Sequence, residues 1–170
     1  MTGDRYSRAR SIIKRYTAFS STPTVCGRGY VVIGWGHRIT DVDRHRFHRS
    51  AREISREYAR VLLLDDARYT AHWIRKLVGY DLSPSVAEAL VSFVYDIDLH
   101  QFRSSYLLRR LRRRDPNAAD ELSRWIVECG TVSDVLKERR QIELDLWFAD
   151  LRLATYRDEN RRLIERANYS

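Results

Sequence analysis

Residues 26–40, with the sequence CGRGYVVIGWGHRIT, constrain the fold more than any other part of the chain. The run YVVIGWG is apolar and is flanked and interrupted by glycine, which predicts short strands joined by tight turns. Tyr30, Trp35 and His37 give this segment the composition of a binding-cleft wall. No aspartate or glutamate, however, lies between Asp4 and Asp41. The segment therefore predicts a cleft whose N-terminal side carries no acidic group.

The chain after residue 50 carries the start and stop signals of helices. Ser50 and Glu53 have the spacing of a capping box, which predicts a long helix toward Leu77 that ends near Gly79. Ser83 followed by Pro84 predicts the start of another. Its apolar residues recur at spacings of three and four, which indicates a buried face: Val86, Leu90, Phe93, Val94 and Ile97.

Further helix starts are predicted at Ser104, at the Asp115-Pro116 pair and at Ser133. Together these signals predict a mainly helical α+β protein with a small β-containing N-terminal lobe and a larger helical C-terminal lobe. We expect one domain over residues 1–170. Its parts are a β-containing lobe (about 12–50), a connecting helix (51–79), a helical lobe (80–150) and a C-terminal helical extension (151–170) that packs back on the helical lobe.

The charge balance bears on the class of partner. The formal net charge is +8, and 28 of the 31 basic residues are arginines, because only Lys14, Lys76 and Lys137 are lysines. Such a balance favours nucleic acid, acidic envelope polymers or an acidic protein, although a solvated basic surface fits it equally. The densest basic patch is LLRRLRRRDP, which contains Arg109, Arg110, Arg112, Arg113 and Arg114.

Other classes of site have little support. Asp41, Asp43, His45 and His48 lie close together but lack further ligands at metal-binding spacing, so we expect no metal and no cofactor. Cys26 and Cys129 are expected to be free thiols in a reducing compartment. The chain has neither a signal-peptide pattern nor an apolar run long enough for a membrane span. We expect a cytoplasmic protein as synthesised, with delivery to a virion or envelope only by other means.

Six segments, in order, carry a family likeness: SIIKRY, YVVIGWGH, ALVSFVYDID, SSYLLRRL, AADELSRW and LKERRQIE. Over residues 12–147 the chain resembles the phage-type lysozymes (endolysins) of glycoside hydrolase family 24. The resemblance implies a lysozyme-like fold and a phage or bacterial context. It also implies a groove between the lobes, whose candidate residues are Tyr30, Gly34, Trp35, Gly36, His37, Tyr95, Asp96 and Asp98.

The resemblance also implies where catalysis would take place. The family uses a glutamate as general acid at the end of its first helix, an aspartate or cysteine, and a threonine. Counting back from the Gly-Trp-Gly-His motif places Thr17, Cys26 and Val32 at these positions. Thr17 has no useful acidity, so the catalytic set is degenerate.

Three hypotheses follow. The first is a lysozyme-fold pseudoenzyme that binds a peptidoglycan-like glycan or a protein partner. The second is an active muramidase with a rewired acid, for which Asp96 and Asp98 are the candidates because paired carboxylates can raise one another's pKa. The third is a polyanion or nucleic-acid binder that uses the basic patch.

Overall fold

A computed structural model describes residues 6–40, 53–128 and 130–168, with side chains through residue 158. Helix α1 (Ser7–Tyr16) leads into a three-stranded antiparallel sheet in the order β1 (Ser20–Val25), β2 (Val31–Gly34) and β3 (His37–Arg38). The helices that follow are α2 (Arg56–Val78), α3 (Pro84–Ile97), α4 (Leu99–Ser104) and α5 (Tyr106–Arg112). A 3₁₀ helix (Ala118–Arg124), the hairpin β4 (Val127–Glu128) and β5 (Thr131–Val132), and helices α6 (Asp134–Trp147) and α7 (Ala149–Asn168) complete the chain.

Helix α3 forms the centre of the larger lobe. Its sequence is apolar on nearly every side, and eight of its residues are buried. Such a helix must be surrounded by other elements, because its side chains would otherwise remain in contact with water. It packs against α1, α2 and α6. The predicted α+β, mainly helical architecture is confirmed.

A second apolar cluster joins the sheet to the helices. Ile13 of α1, Trp35 after β2, and Ala59 and Leu63 of α2 pack together there. The approach of the sheet to α2 is close, since a Cβ atom placed on Gly34 would lie only 3.0 Å from Cβ of Ala59. Gly34 also has a φ of +64°, which a larger residue adopts only with strain. This glycine therefore allows the sheet to dock on α2.

Three helices begin at residues other than those predicted from the sequence. Helix α2 begins at Arg56, where the Ser55 hydroxyl accepts a hydrogen bond from the Tyr58 amide. Glu53 precedes this helix, and Ser50 lies outside the described residues. Ser104 ends α4, whereas the buried Ser105 hydroxyl caps α5 by accepting from the Leu108 amide. The helix predicted after Asp115-Pro116 is a 3₁₀ helix that starts at Ala118.

The starts of α3 and α6 are confirmed. Ser83 and Ser133 are their N-caps, and each hydroxyl accepts a hydrogen bond from an amide three residues later. The C-terminal extension is helical, and its side chains from residue 151 to residue 158 are exposed, with Leu151 and Tyr156 at 64% and 63%. Arg152 of this extension pairs with Asp145 of α6 at 3.0 Å. Packing of the whole extension on the helical lobe stays a prediction.

Candidate functional site

The end of α1, the turn between β2 and β3, and the last turn of α3 meet at one point. Thr17 directly follows α1 in extended conformation. A Cβ atom placed on Gly36, whose φ is +89°, would lie 3.3 Å from Cγ2 of Thr17 and 3.5 Å from Cε1 of Tyr95. The Thr17 side chain therefore faces the glycine turn. The Tyr95 ring lies close to the same turn.

The other two residues that the resemblance predicts at the family's catalytic positions lie beside and within the sheet. Cys26 directly follows β1 and closes the hairpin turn, since its amide donates to the Tyr30 carbonyl at 2.9 Å and its carbonyl accepts from the Gly29 amide at 2.8 Å. Val32 lies on β2, paired with Thr24 and Arg38, and is half-buried. An isopropyl side chain can neither hold a water molecule by hydrogen bonds nor transfer a proton.

His37 is held by a residue that the sequence analysis did not identify. Its Nδ1 atom lies 2.9 Å from both carboxylate oxygens of Asp66 on α2. The Tyr95 hydroxyl donates to the Trp35 carbonyl at 3.0 Å and contacts Asp66 at 3.4 Å. Burial, together with the Asp66 carboxylate, raises the pKa of Tyr95 well above its usual 10.0. The group fixes the β2–β3 turn to α2 and α3.

Asp96, the first candidate for a rewired acid, is surrounded by arginines. Its carboxylate pairs with Arg140, lies 3.4 Å from Arg139 and lies 3.6 Å from Arg28. Arg28 also donates to the Asp96 backbone carbonyl. Because Arg28 lies in the turn between β1 and β2, this contact connects the hairpin to the end of α3. Guanidinium groups only donate hydrogen bonds, so the Asp96 oxygens act here as acceptors.

Arg139 and Arg140, two of the three arginines around Asp96, also form a buried ionic cluster. Glu143 is fully buried, bonded to Arg140, 3.2 Å from Arg139 and 2.6 Å from the Ser92 hydroxyl. A buried carboxylate is tolerated only when donors satisfy its oxygens, as they do here. Arg139, Arg140 and Glu143 come from the LKERRQIE segment. The likeness of this segment to the family was the only sequence signal for the cluster.

Asp98, the second candidate acid, caps a helix. Its carboxylate accepts a hydrogen bond from the Gln101 amide at 2.9 Å, at the N-terminus of α4. Its φ of +74° is unusual for a residue other than glycine. The structure thus brings Asp96 and Asp98 to the same helix end but gives them different partners.

The aromatic residues of the glycine-rich segment pack inside the N-terminal lobe. Trp35 is only 6% exposed and packs against Phe19 at a tilt, with ring centroids 5.1 Å apart. The Arg38 guanidinium covers one face of the half-buried Tyr30 ring at 3.5 Å. Trp35 therefore stabilises the lobe and presents no open face to a ligand.

The basic patch is only partly free. Arg110 pairs with Asp115 at 2.7 Å and Glu121 at 2.9 Å, and these hydrogen bonds raise the pKa of Arg110. Arg112 donates to the Leu77 carbonyl at 2.7 Å. The other members of the patch are exposed, with Arg109 over the Tyr106 ring, Arg114 over the Tyr80 ring and Arg113 at the end of α5.

The next group of candidates is the set of four possible metal ligands between β3 and α2. Asp41, Asp43, His45 and His48 lie outside the described residues. Within the described part of the chain, no three histidine, cysteine or acidic side chains are grouped as metal ligands would be. Nor does that part contain a helix with the length and hydropathy required to cross a membrane.

The small β-containing part and the larger helical part of the fold agree with a family match. The phage lysozyme model matches residues 14–143, which is most of the chain. The chain belongs to the phage lysozyme family. This confirms the resemblance seen in the sequence.

Known endolysins are similar over most of this chain. The endolysin of Bacillus phage B103 is 34% identical over 134 residues, which cover 78% of this chain and 48% of the endolysin. A SAR-endolysin of bacteriophage PS119 is 30% identical over 122 residues, 70% of either chain. The chain spans about half the length of the Bacillus phage relatives, 48% and 47%.

Among solved structures, the muramidase domain of SpmX from Asticaccaulis excentricus superposes with a TM-score of 0.68. It is 25% identical, and the match covers 83% of this chain and 95% of that domain.

Proposed function

We propose that this lysozyme-family chain binds a peptidoglycan-like glycan in the groove between its lobes without hydrolysing it. One observation carries the proposal. Thr17 stands after α1, facing Gly36, at the position where the resemblance places the family's general acid. The groove therefore has a hydroxyl where glycoside hydrolysis needs a proton donor.

Glycoside hydrolysis depends on the acid that Thr17 replaces in this proposal. Breaking a glycosidic bond requires a carboxylic acid to protonate the departing oxygen and a second group to assist at the opposite face of the sugar. A threonine hydroxyl does not release a proton at neutral pH. Each positioned acid or base contributes about 10²–10⁴-fold to the rate. Thr17 and Val32 together therefore remove most of the family's rate enhancement.

The carboxylates near Thr17 are already engaged in hydrogen bonds and ion pairs. Asp66 is bonded to His37 and Tyr95, and Asp96 accepts from arginines of two elements. Asp98 holds the first turn of α4. An acid that protonates a substrate must first release such donors, and each release leaves buried polar groups unsatisfied. These contacts support binding over a rewired muramidase.

The family and the surviving architecture favour a glycan ligand. Relatives bear the names endolysin and muramidase, and lysozymes act on peptidoglycan. Arg28, whose side chain is 44% exposed, lies at the hairpin turn and contacts Asp96 at the end of α3. Peptidoglycan carries carboxylates and amide carbonyls, which guanidinium groups bind well. A protein ligand for the same groove remains the alternative of the same class.

Co-sedimentation with purified peptidoglycan sacculi tests the proposal. The wild-type chain should pellet with the sacculi in a saturable way and release no soluble muropeptides. Arg28→Gln should weaken the binding, whereas Arg60→Gln, which removes an exposed cation on α2, should leave it unchanged. A chain that stays in the supernatant would refute glycan binding and favour the protein-partner alternative. Soluble muropeptides would refute the pseudoenzyme.

A further inference from the structure

A second surface with its own chemistry lies on the exposed side of α2, toward the C-terminal end of the helix from Asp66. Tyr69, His72, Trp73 and Lys76 follow one another at helical spacing, so they share one face over about 10 Å. Tyr69 is 60% exposed, and His72 and Lys76 are exposed as well. The exposed Tyr69, His72 and Lys76 thus surround the half-buried Trp73 on one face of the helix.

Trp73 is the centre of this row. The Arg103 guanidinium of α4 lies 5.1 Å from its ring centroid, and the Lys76 ammonium lies at 5.4 Å. Tyr69 and His72 contact the same ring edge-on, at 6.2 and 5.7 Å. We call Tyr69, His72, Trp73, Lys76 and Arg103 the α2 ridge.

The charges of the α2 ridge are uncompensated. Neither Lys76 nor Arg103 has a carboxylate within ion-pair distance in the described part of the chain, whereas Arg68 and Arg75 at its borders pair with Asp65 and Asp81. At the C-terminal end of α2, Arg112 bonds to a backbone carbonyl and adds a third uncompensated cation. The ridge therefore attracts an anionic partner.

We propose that the α2 ridge binds single-stranded nucleic acid. Lys76, Arg103 and Arg112 would neutralise successive phosphates, and unpaired bases would stack on the exposed rings of Tyr69 and His72. A duplex hides its base faces and would use only the cations. A wall phosphate polymer would likewise leave the rings without a partner. Interleaved rings and cations thus favour the single strand over a duplex and over a polymer that offers phosphates alone.

Fluorescence anisotropy with labelled oligo-dT of about 16 nucleotides tests this proposal on the full chain. The double variant Lys76→Gln, Arg103→Gln should bind oligo-dT with at least tenfold lower affinity. It should also make the slope of log affinity against log salt shallower by about 1.4, because two phosphate contacts are lost. The control pair, Arg60→Gln with Arg152→Gln, changes the net charge equally at exposed sites away from the ridge, so it should have little effect.

The rings need their own test. Tyr69→Leu, which keeps an apolar side chain but removes the ring, should reduce affinity about tenfold. Tyr156→Leu, an equally exposed tyrosine on α7, should not. Each variant is first shown to keep the wild-type thermal midpoint. The proposal is overturned if both charge pairs weaken binding equally. It is also overturned if Tyr69→Leu binds as wild type, or if a duplex or poly(glycerol phosphate) binds as tightly as oligo-dT.

Discussion

Nδ1 of His37 lies 2.9 Å from both carboxylate oxygens of Asp66, and this contact ties β3 to α2. Both side chains are largely buried, at 15% and 23% exposure. A partly buried hydrogen bond to a charged group contributes more than one at the surface. The pair therefore has a structural role: it holds the glycine turn that faces Thr17.

Removing this contact should destabilise the protein. Asp66→Ala should lower the free energy of unfolding by about 1–3 kcal/mol, because the imidazole loses its buried partner. Asp65→Ala, one residue earlier and exposed, removes only a loose pair with Arg68 and should change it by less than about 1 kcal/mol. Urea denaturation measures both. Equal losses would contradict a structural role for the His37–Asp66 pair.

Tyr95 should make stability fall at alkaline pH. Its pKa is raised in the folded protein, so above about pH 10 the unfolded chain loses a proton that the folded chain keeps. The Tyr95 contribution is complete below that pH and is lost as the pH rises further. Urea midpoints measured from about pH 8 to 11 should fall less steeply for Tyr95→Phe than for wild type. Identical slopes would show that Tyr95 titrates normally.

The buried ionic cluster should be sensitive to the loss of one charge. Glu143→Gln leaves Arg139 and Arg140 with Asp96 as their remaining carboxylate and should cost about 3 kcal/mol of stability. Glu138→Gln is the matched control, because Glu138 on the same helix is 53% exposed and pairs with Arg15. It should cost less than about 1 kcal/mol. Thermal denaturation measures both variants. Equal shifts of the two midpoints would contradict a stabilising role for the buried cluster.

The contact between Thr17 and Gly36 can be tested by a double-mutant cycle. Gly36→Ala should cost about 1–2 kcal/mol from the positive φ alone, plus the crowding of its new methyl against Thr17. Thr17→Ser removes that methyl neighbour, so Gly36→Ala should cost about 0.5 kcal/mol less in the Thr17→Ser background.

Gly27→Ala is the control for this cycle, since no atom lies within 4 Å of its Cβ position and its φ is not positive. It should be nearly neutral. Strict additivity between Thr17→Ser and Gly36→Ala would mean that Thr17 does not face the turn.

Local signals in the sequence predicted the helical architecture well. Ser83 and Ser133 cap α3 and α6 because a hydroxyl before an apolar-periodic run satisfies a free amide whatever lies around it. The choice between Ser104 and Ser105 is different. Adjacent serines satisfy the same local rule, and only the packing that buries the Ser105 hydroxyl selects it.

The site was less predictable because its contacts are long-range. Asp66 is 29 residues from His37, and Asp96 meets Arg140 across 44 residues. No local pattern encodes such pairings. The burial of Trp35 was equally hidden, because the helices that cover it are distant in sequence. The family motifs led to the prediction for Thr17, but no pattern in the sequence predicted the partners of the nearby carboxylates.

The most direct test of the proposed function is muropeptide release from purified peptidoglycan by the wild-type chain and by the double variant Thr17→Glu, Val32→Thr. Our account predicts that the wild-type chain releases none. The variant, with its acid and hydroxyl restored in an intact groove, should release muropeptides. Release by the wild-type chain at a rate similar to that of the variant would contradict the account and assign the acid to another residue, with Asp96 and Asp98 the first to be substituted by asparagine.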